Sequence, residues 1–158
     1  MEEADAVFAH LQELMDQIPE MEALGARLDA ARAAQAVLDA ESHRVGQVNQ
    51  EAQIKSYVDG YMAEREEALA KGDVDAELAA REAALQCGNM LAIRRGARED
   101  AERKLTAALE TGGFASVDVA RESVLPADEL ERETERLRAF QADYAETFQR
   151  AQELEPEA

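Results

Sequence analysis

The fifty residues from Met21 to Ala70 contain no proline, and from Met21 to Ala52 apolar side chains recur at alternating spacings of three and four. Because an α-helix turns once in 3.6 residues, this spacing places those side chains along one side of a helix, as in the seam of a coiled coil. The pattern therefore predicts a long helix that packs against another helix. The seam consists of Met21, Leu24, Leu28, Ala31, Leu38, Val45 and Ala52.

Three polar residues, Gln35, Ser42 and Asn49, interrupt this seam in the same register. Polar seam positions are typical of helices that fix the alignment of a partner helix. A single straight helix over this segment would be about 75 Å long, whereas a compact domain of this size is on the order of 40 Å across. We therefore expect either a break near Gly46 or Gly60 or an elongated molecule.

Local signals predict the ends of the other helices. An amphipathic N-terminal helix is expected to end or bend at Ile18, because Pro19 disfavours helical geometry in the residue before it. Gly72 has the character of a helix C-cap and Asp73 that of the next N-cap. The next helix is predicted over Val74–Thr111, where Gly112 and Gly113 follow.

The C-terminal third is predicted to contain a short helix and a long one. Residues 114–125 fit a short helix capped by Ser116, although Val117 and Val119 also alternate as in a strand. Pro126 suits the first turn of a last helix that extends to about Glu153. The closing residues 155–158 spell EPEA, a string also used as an affinity tag, and are set apart as an acidic tail.

Composition favours the same fold class. Ala, Glu, Leu and Arg are frequent and rank among the strongest helix formers, while aromatic residues make up 4% of the chain and Trp is absent. The core is therefore expected to be built from Leu, Val and Ala. We predict an all-α protein, an elongated antiparallel helical bundle of four to five helices with coiled-coil character. Residues 1–154 are predicted to form one domain.

The sixteen residues Ala83–Arg98 lack acids, in a chain with 35 Asp and Glu against 17 Lys and Arg. Small residues recur in this stretch at every fourth position, a spacing that lets another helix approach closely. We predict that Ala83–Ile93 is the tightly packed centre of its helix. The candidate helix-packing or interface residues are Ala84, Gly88, Ala92 and Gly96.

Arg94, Arg95 and Arg98 form a basic cluster at the end of this stretch. Arginine binds carboxylates and phosphates in a fork geometry, so the cluster is a candidate contact patch for an acidic group. Alternatively, Arg95 with Glu99 and Arg98 with Glu102 are four residues apart and can pair on the helix surface.

The net charge of −18 restricts the kinds of partner. Nucleic-acid phosphates and anionic lipids repel such a surface, so we expect neither direct nucleic-acid binding nor membrane binding, and a charged protein partner is expected to be basic. The acidity is also explained by solubility or by adaptation to a salty interior. The chain shows neither a signal-peptide pattern nor a run of about 18 apolar residues, which predicts a cytoplasmic protein.

No motif indicates an enzyme, a cofactor or a metal. The two histidines, His10 and His43, both lack a Glu three residues before them, which a helical di-iron site requires. The glycines form no phosphate-binding loop, and no base lies near Cys87, the single cysteine. Cys87 is predicted to be a small core residue.

These observations favour a non-enzymatic interaction protein, namely an adaptor, scaffold or assembly factor that acts through helix–helix contacts as a homo-oligomer. The alternative is an acidic regulator or nucleic-acid mimic that binds the basic surface of a partner protein. A third class, an enzyme or ligand carrier with a pocket near Cys87, has less support in the sequence.

Overall fold

A computed structural model of the chain describes residues 2–155. Four α-helices and no strand occur in that range: α1 (Glu2–Lys71), α2 (Val74–Gly112), α3 (Val117–Arg121) and α4 (Ala127–Leu154). The all-α prediction is therefore confirmed. Antiparallel packing and coiled-coil character stay predictions. Of the predicted tail, all but Glu155 lies outside the described residues.

The helix ends lie where local chemistry predicts them. Gly72 has a positive φ of 70°, and the Asp73 side chain accepts a hydrogen bond from the backbone N–H of Ala76 at 3.1 Å. Gly113, at φ 69°, closes α2. The hydroxyl of Ser116 accepts a hydrogen bond from the Val119 N–H at 3.2 Å, so the helical interpretation of this segment is confirmed.

A helix end or bend was predicted at Pro19. The helix does not end there, because α1 continues through this residue. A proline inside a helix removes one backbone hydrogen bond and costs about 3 kcal/mol. Pro19 itself is exposed, while Leu14 before it and Met21 after it are buried. Burial of the residues on both sides of Pro19 offsets the cost of the missing hydrogen bond.

The predicted break near Gly46 or Gly60 is also absent, since both residues lie inside α1. A glycine in a helix interior costs only about 0.5–1 kcal/mol relative to alanine. This cost is small compared with the packing of a helix face, so glycine alone does not end the helix here.

The contacts of the chain group it into two compact units, and α1 contributes to both. The first unit contains α1 up to Gln35 and the chain from Arg121 onward. Its core is the first part of the predicted seam, in which Met21, Leu24 and Leu28 are buried. The partly buried residues packed against this cluster are Leu125, Leu130, Leu137 and Phe140.

The second unit, Ala36–Ala120, has a core of small side chains. Val37 is its largest fully buried side chain, and the other buried residues are alanines. The predicted seam does not continue into this unit, because Val45 and Ala52 are exposed. The buried alanines are Ala68, Ala80, Ala84, Ala101 and Ala120.

In the range 2–155, none of the helices carries an apolar stretch long enough to cross a lipid bilayer.

Candidate functional site on helix α2

One side of α2 packs within the second unit. Ala80, Ala84 and Ala101 are buried on this side. Near the start of α2, Glu77 accepts a hydrogen bond from Arg65 of α1 at 3.0 Å. Alanines let the backbones of two helices approach closely, and the ion pair fixes their alignment.

The basic cluster contacts the same α1 segment. Arg94 donates a hydrogen bond to Gln50 at 2.7 Å, and Arg98 donates one to Glu51. Arg95 is more exposed, and its guanidinium lies 4.0 Å from Glu51. The structure therefore brings all three predicted cluster residues to one short segment of α1.

Arg98 donates hydrogen bonds to two carboxylates and forms a longer ion pair with Glu99 at 3.9 Å. Besides Glu51, it donates a hydrogen bond to Glu102 at 3.0 Å, which confirms the predicted pairing over four residues. These carboxylates raise the pKa of the Arg98 guanidinium, with the hydrogen bond to Glu51 as the largest cause. Because its charge is compensated within the chain, Arg98 serves the fold, and Arg95 is the most accessible member of the cluster.

The opposite side of α2 is apolar and exposed. Four large side chains on it are Val74, Leu78, Leu85 and Ile93, with 76%, 42%, 67% and 70% of their surface accessible. The prediction that Ala83–Ile93 forms a tightly packed centre is therefore wrong. Ala83–Ile93 contains no charged residue, but a segment without charges need not be buried.

The small-residue row divides between the two sides of the helix. Ala84 is buried and Gly88 is half-buried, whereas Ala92 and Gly96 are exposed. A Cβ atom added at Gly88 would meet nothing within 4 Å, so the predicted close crossing of a helix of the same chain at Gly88 is wrong. Steps of four advance about 40° around a helix, so the row winds away from α1. An interface with another molecule stays a prediction for these residues.

The exposed residues form a regular stripe. Leu78, Leu85 and Ala92 are seven residues apart. In a helix of 3.6 residues per turn, these three residues lie with Val74 and Gly96 within a sector of about 40°. Ile93 lies beside this sector. We call this stripe the outer α2 face: Val74, Leu78, Leu85, Ala92 and Gly96.

Sequence reasoning assigned the larger apolar residues of α2 to its packed side. The seven-residue spacing of Leu78, Leu85 and Ala92 was the available signal for a separate stripe. It lies opposite the buried Ala80 and Ala84. Which of the two stripes α1 covers depends on tertiary contacts, which helical spacing alone does not specify.

In the first unit, a polar groove lies between α1 and α4. His10 Nε2 lies 3.0 Å from Asp143 Oδ2, and Asp143 also accepts a hydrogen bond from Thr147 at 3.1 Å. The pKa of His10 is raised, mainly by the hydrogen bond to Asp143 and further by Glu13. The groove has a volume of about 310 Å³ and is lined by Glu3, Ala6, Val7, His10, Asp143, Glu146, Thr147 and Arg150.

This contact predicts a pH-dependent stability. A raised pKa in the folded state means that the protonated His10 stabilises the fold below its ordinary pKa of about 6.5, and that this contribution is lost as the pH rises through the raised value. We expect His10→Gln to lower the melting temperature at about pH 5.5 and to leave it nearly unchanged at about pH 8.5. The effect is expected to be small because the pair is exposed.

Thermal melts of the wild type, His10→Gln, Asp143→Asn and the double variant measure this effect. In Asp143→Asn the further change His10→Gln should have a smaller effect, since only the weaker partner Glu13 remains. Equal loss in His10→Gln at both pH values would contradict the assignment.

Among the described residues, no group of three or more His, Cys, Asp or Glu side chains is arranged to hold a metal ion. Cys87 is half-buried on α2 and is a free thiol. A thiol in such a position packs as a small apolar side chain.

Comparison with protein-family models, with curated proteins and with solved structures gave no match to this chain.

Proposed function

We propose that the chain is a non-enzymatic interaction protein, an adaptor, scaffold or assembly factor of the cytoplasm, which associates through helix–helix contacts as a homo-oligomer. One observation supports this proposal above the others: the outer α2 face exposes three large apolar side chains, Val74, Leu78 and Leu85, in a regular stripe. Large apolar side chains grouped on one exposed face are typical of an interaction surface.

Energetics favours covering this face. Full burial of a Val or Leu side chain contributes about 1.5–3 kcal/mol, and Val74 and Leu85 are more than half exposed. The fully buried residues of the second unit, by contrast, are Val37 and alanines. Association through the outer α2 face therefore adds contacts between large apolar side chains.

The internal packing we propose is an antiparallel bundle with coiled-coil character. In the first unit, residues progressively later in α1 contact residues progressively earlier in α4, and this order supports an antiparallel pair. The contacts are Glu3 with Arg150, His10 with Asp143 and Glu20 with Arg136. Such a bundle presents a rigid helix surface, as a scaffold requires.

A thiol-labelling experiment tests whether the outer α2 face is covered on association. In a Cys87→Ala background, Ala92→Cys places a thiol on the face, and Ala79→Cys places one on an exposed position beside it. We expect alkylation of Ala92→Cys to slow at least about fivefold between low and high micromolar protein, because association removes this position from water.

The rate for Ala79→Cys should not change with concentration, which makes this variant the matched control. Equal rates for Ala92→Cys at both concentrations would mean that the protein does not associate through this face, and the proposed function would be abandoned.

The second candidate is an acidic regulator that binds a basic protein surface. Acids exceed bases by 18, and several of the arginines, such as Arg98 and Arg136, are already paired within the chain. The surplus negative charge is therefore available to a partner. Salt screens such binding strongly and apolar association only weakly, so the salt dependence separates the two functions.

A further inference from the structure

An apolar groove lies between α1 and α4 in the first unit, apart from the polar groove beside His10. Glu22 and Gln141 are its two polar lining residues. We propose that this apolar groove binds a basic amphipathic helix of a partner protein. The site does not depend on the outer α2 face, which belongs to the second unit. The remaining lining residues are Ile18, Met21, Gly25, Leu137 and Phe140.

The volume of the groove favours a protein side chain over a small molecule as its occupant. The groove encloses about 200 Å³, whereas sites for small molecules commonly enclose about 300–1,000 Å³. It is also shallow, since a Cβ atom added at Gly25 would already lie 3.6 Å from Leu137. The groove therefore has room for one large apolar side chain, the kind of anchor that a bound helix inserts.

Exposed apolar side chains extend the groove toward the start of α1. Met15 is three residues before Ile18, and residues at this spacing are neighbours on a helix. Phe8, seven residues before Met15, lies on the same side of α1. On α4, Tyr144 lies one turn beyond the groove, and Phe148 stacks on it with 6.1 Å between the ring centroids. Between 38% and 45% of the surface of Phe8, Met15 and Phe148 is accessible, so a partner helix can contact all three.

The acids beside this surface lack basic partners. Glu22 lies in the wall of the groove, and Asp5 and Asp16 lie beside its extension on α1. Within residues 2–155, none of these three acids forms an ion pair with a lysine or arginine. Asp16 accepts a hydrogen bond from the uncharged amide of Gln12 at 2.9 Å. Their negative charge is therefore available to a basic ligand.

The polar groove on the other side of the same helices differs in this respect. There Asp143 is paired with His10, and Glu3 is paired with Arg150. The apolar groove combines unpaired carboxylates with an apolar surface. An amphipathic helix with an apolar stripe between Lys or Arg side chains matches both properties.

A second copy of this chain does not suit the apolar groove. Its net charge of −18 would bring acids against acids. Its basic cluster already contacts Gln50 and Glu51 of α1. Nucleic acid and anionic lipid are repelled by the same carboxylates. The occupant that agrees with both charge and shape is a basic protein helix, which gives the acidic regulator, the second candidate function, a binding surface.

Fluorescence anisotropy with a designed peptide and the full chain tests this proposal. The probe is a labelled peptide of about 18 residues, built from Leu and Lys with every Leu on one helix face, because α1 rises roughly 26 Å from Phe8 to Gly25. A control peptide has the same composition in an order that spreads Leu around the helix. We expect the probe to bind with a dissociation constant in the micromolar range, and the control peptide to bind at least about tenfold more weakly.

The double variant Met15→Gln with Phe148→Gln tests the apolar contacts. Both positions are exposed, so the fold should be retained. We expect binding of the probe to weaken at least about tenfold, because two large apolar side chains no longer contact it.

A second pair of variants tests the charge. Asp16→Asn with Glu22→Gln should weaken binding of the probe at least about threefold, because the neighbouring lysines lose their partners. Glu64→Gln with Glu66→Gln removes the same charge at exposed positions of the second unit. This matched control should bind within about twofold of the wild type, since salt screens distant charges.

Failure of the probe to bind, equal binding of the two peptides, or equal weakening by the two acid variants would overturn the proposal. Loss of self-association in Met15→Gln/Phe148→Gln would assign the groove to a second copy and would overturn it too. Protection of Ala92→Cys from alkylation is measured separately, so that loss of probe binding alone leaves the proposed function standing.

Discussion

Replacement of Leu28 by alanine is expected to lower the free energy of unfolding by about 2–5 kcal/mol. Leu28 is fully buried, in the cluster that joins α1 to residues of the C-terminal segment. Truncation removes apolar contacts and leaves a cavity, because Leu137 and Phe140 can relax only in part. Urea denaturation followed by circular dichroism measures the change.

The matched control for this prediction is Leu69→Ala, the same substitution at a side chain that is 56% exposed. We expect its cost to stay below about 1 kcal/mol, as for other surface changes. Similar losses in the two variants would mean that the core of the first unit is not where the structure places it.

The second large effect is expected on assembly. The double variant Leu78→Glu with Leu85→Glu places two carboxylates of each chain in the proposed contact. Burying unpaired charges costs several kcal/mol, so we expect the dissociation constant to rise at least about 100-fold. Both positions are exposed in the single chain, so helix content and unfolding at low concentration should change little.

A matched control adds the same charge to the same helix. Ala79→Glu with Gln86→Glu lies one residue further along α2, about 100° around the helix, at exposed positions. We expect this variant to associate within about threefold of the wild type, since its charges stay in water. Equal losses in both double variants would point to a general effect of net charge and would contradict a specific face.

The ends of the helices could be predicted because they depend on neighbouring residues. Gly72 adopts a positive φ that other residues rarely adopt, and the Asp73 carboxylate caps the N–H of Ala76 three residues later. Both signals act within one turn of helix, so sequence alone is sufficient to identify them.

Predictions that depended on tertiary contacts were less successful. Pro19 lies within α1 because Leu14 and Met21 are buried on either side of it. The acid-free stretch was expected inside, yet Leu85 and Ile93 are exposed there. The sequence shows two possible packing stripes on α2, one of alanines and one of larger residues. Which of the two stripes packs against α1 depends on shape complementarity, which residue spacing does not reveal.

The candidate site was predicted in part. The sequence identified Ala92 and Gly96 as interface candidates, and both lie exposed on the outer α2 face. It did not identify Leu78 and Leu85 as exposed, because large apolar residues were assigned to the core. The sequence grouped the three arginines of the basic cluster, while their contacts with Gln50 and Glu51 of α1 could not be foreseen from spacing within α2.

Light scattering of the wild type and the two double variants across a micromolar concentration range tests the central claim most directly. We predict that the mass of the wild type and of Ala79→Glu/Gln86→Glu rises above the chain mass of 17.4 kDa, while Leu78→Glu/Leu85→Glu stays at that mass. A wild type that remains at 17.4 kDa throughout, or a Leu78→Glu/Leu85→Glu variant that associates as the wild type does, would contradict it.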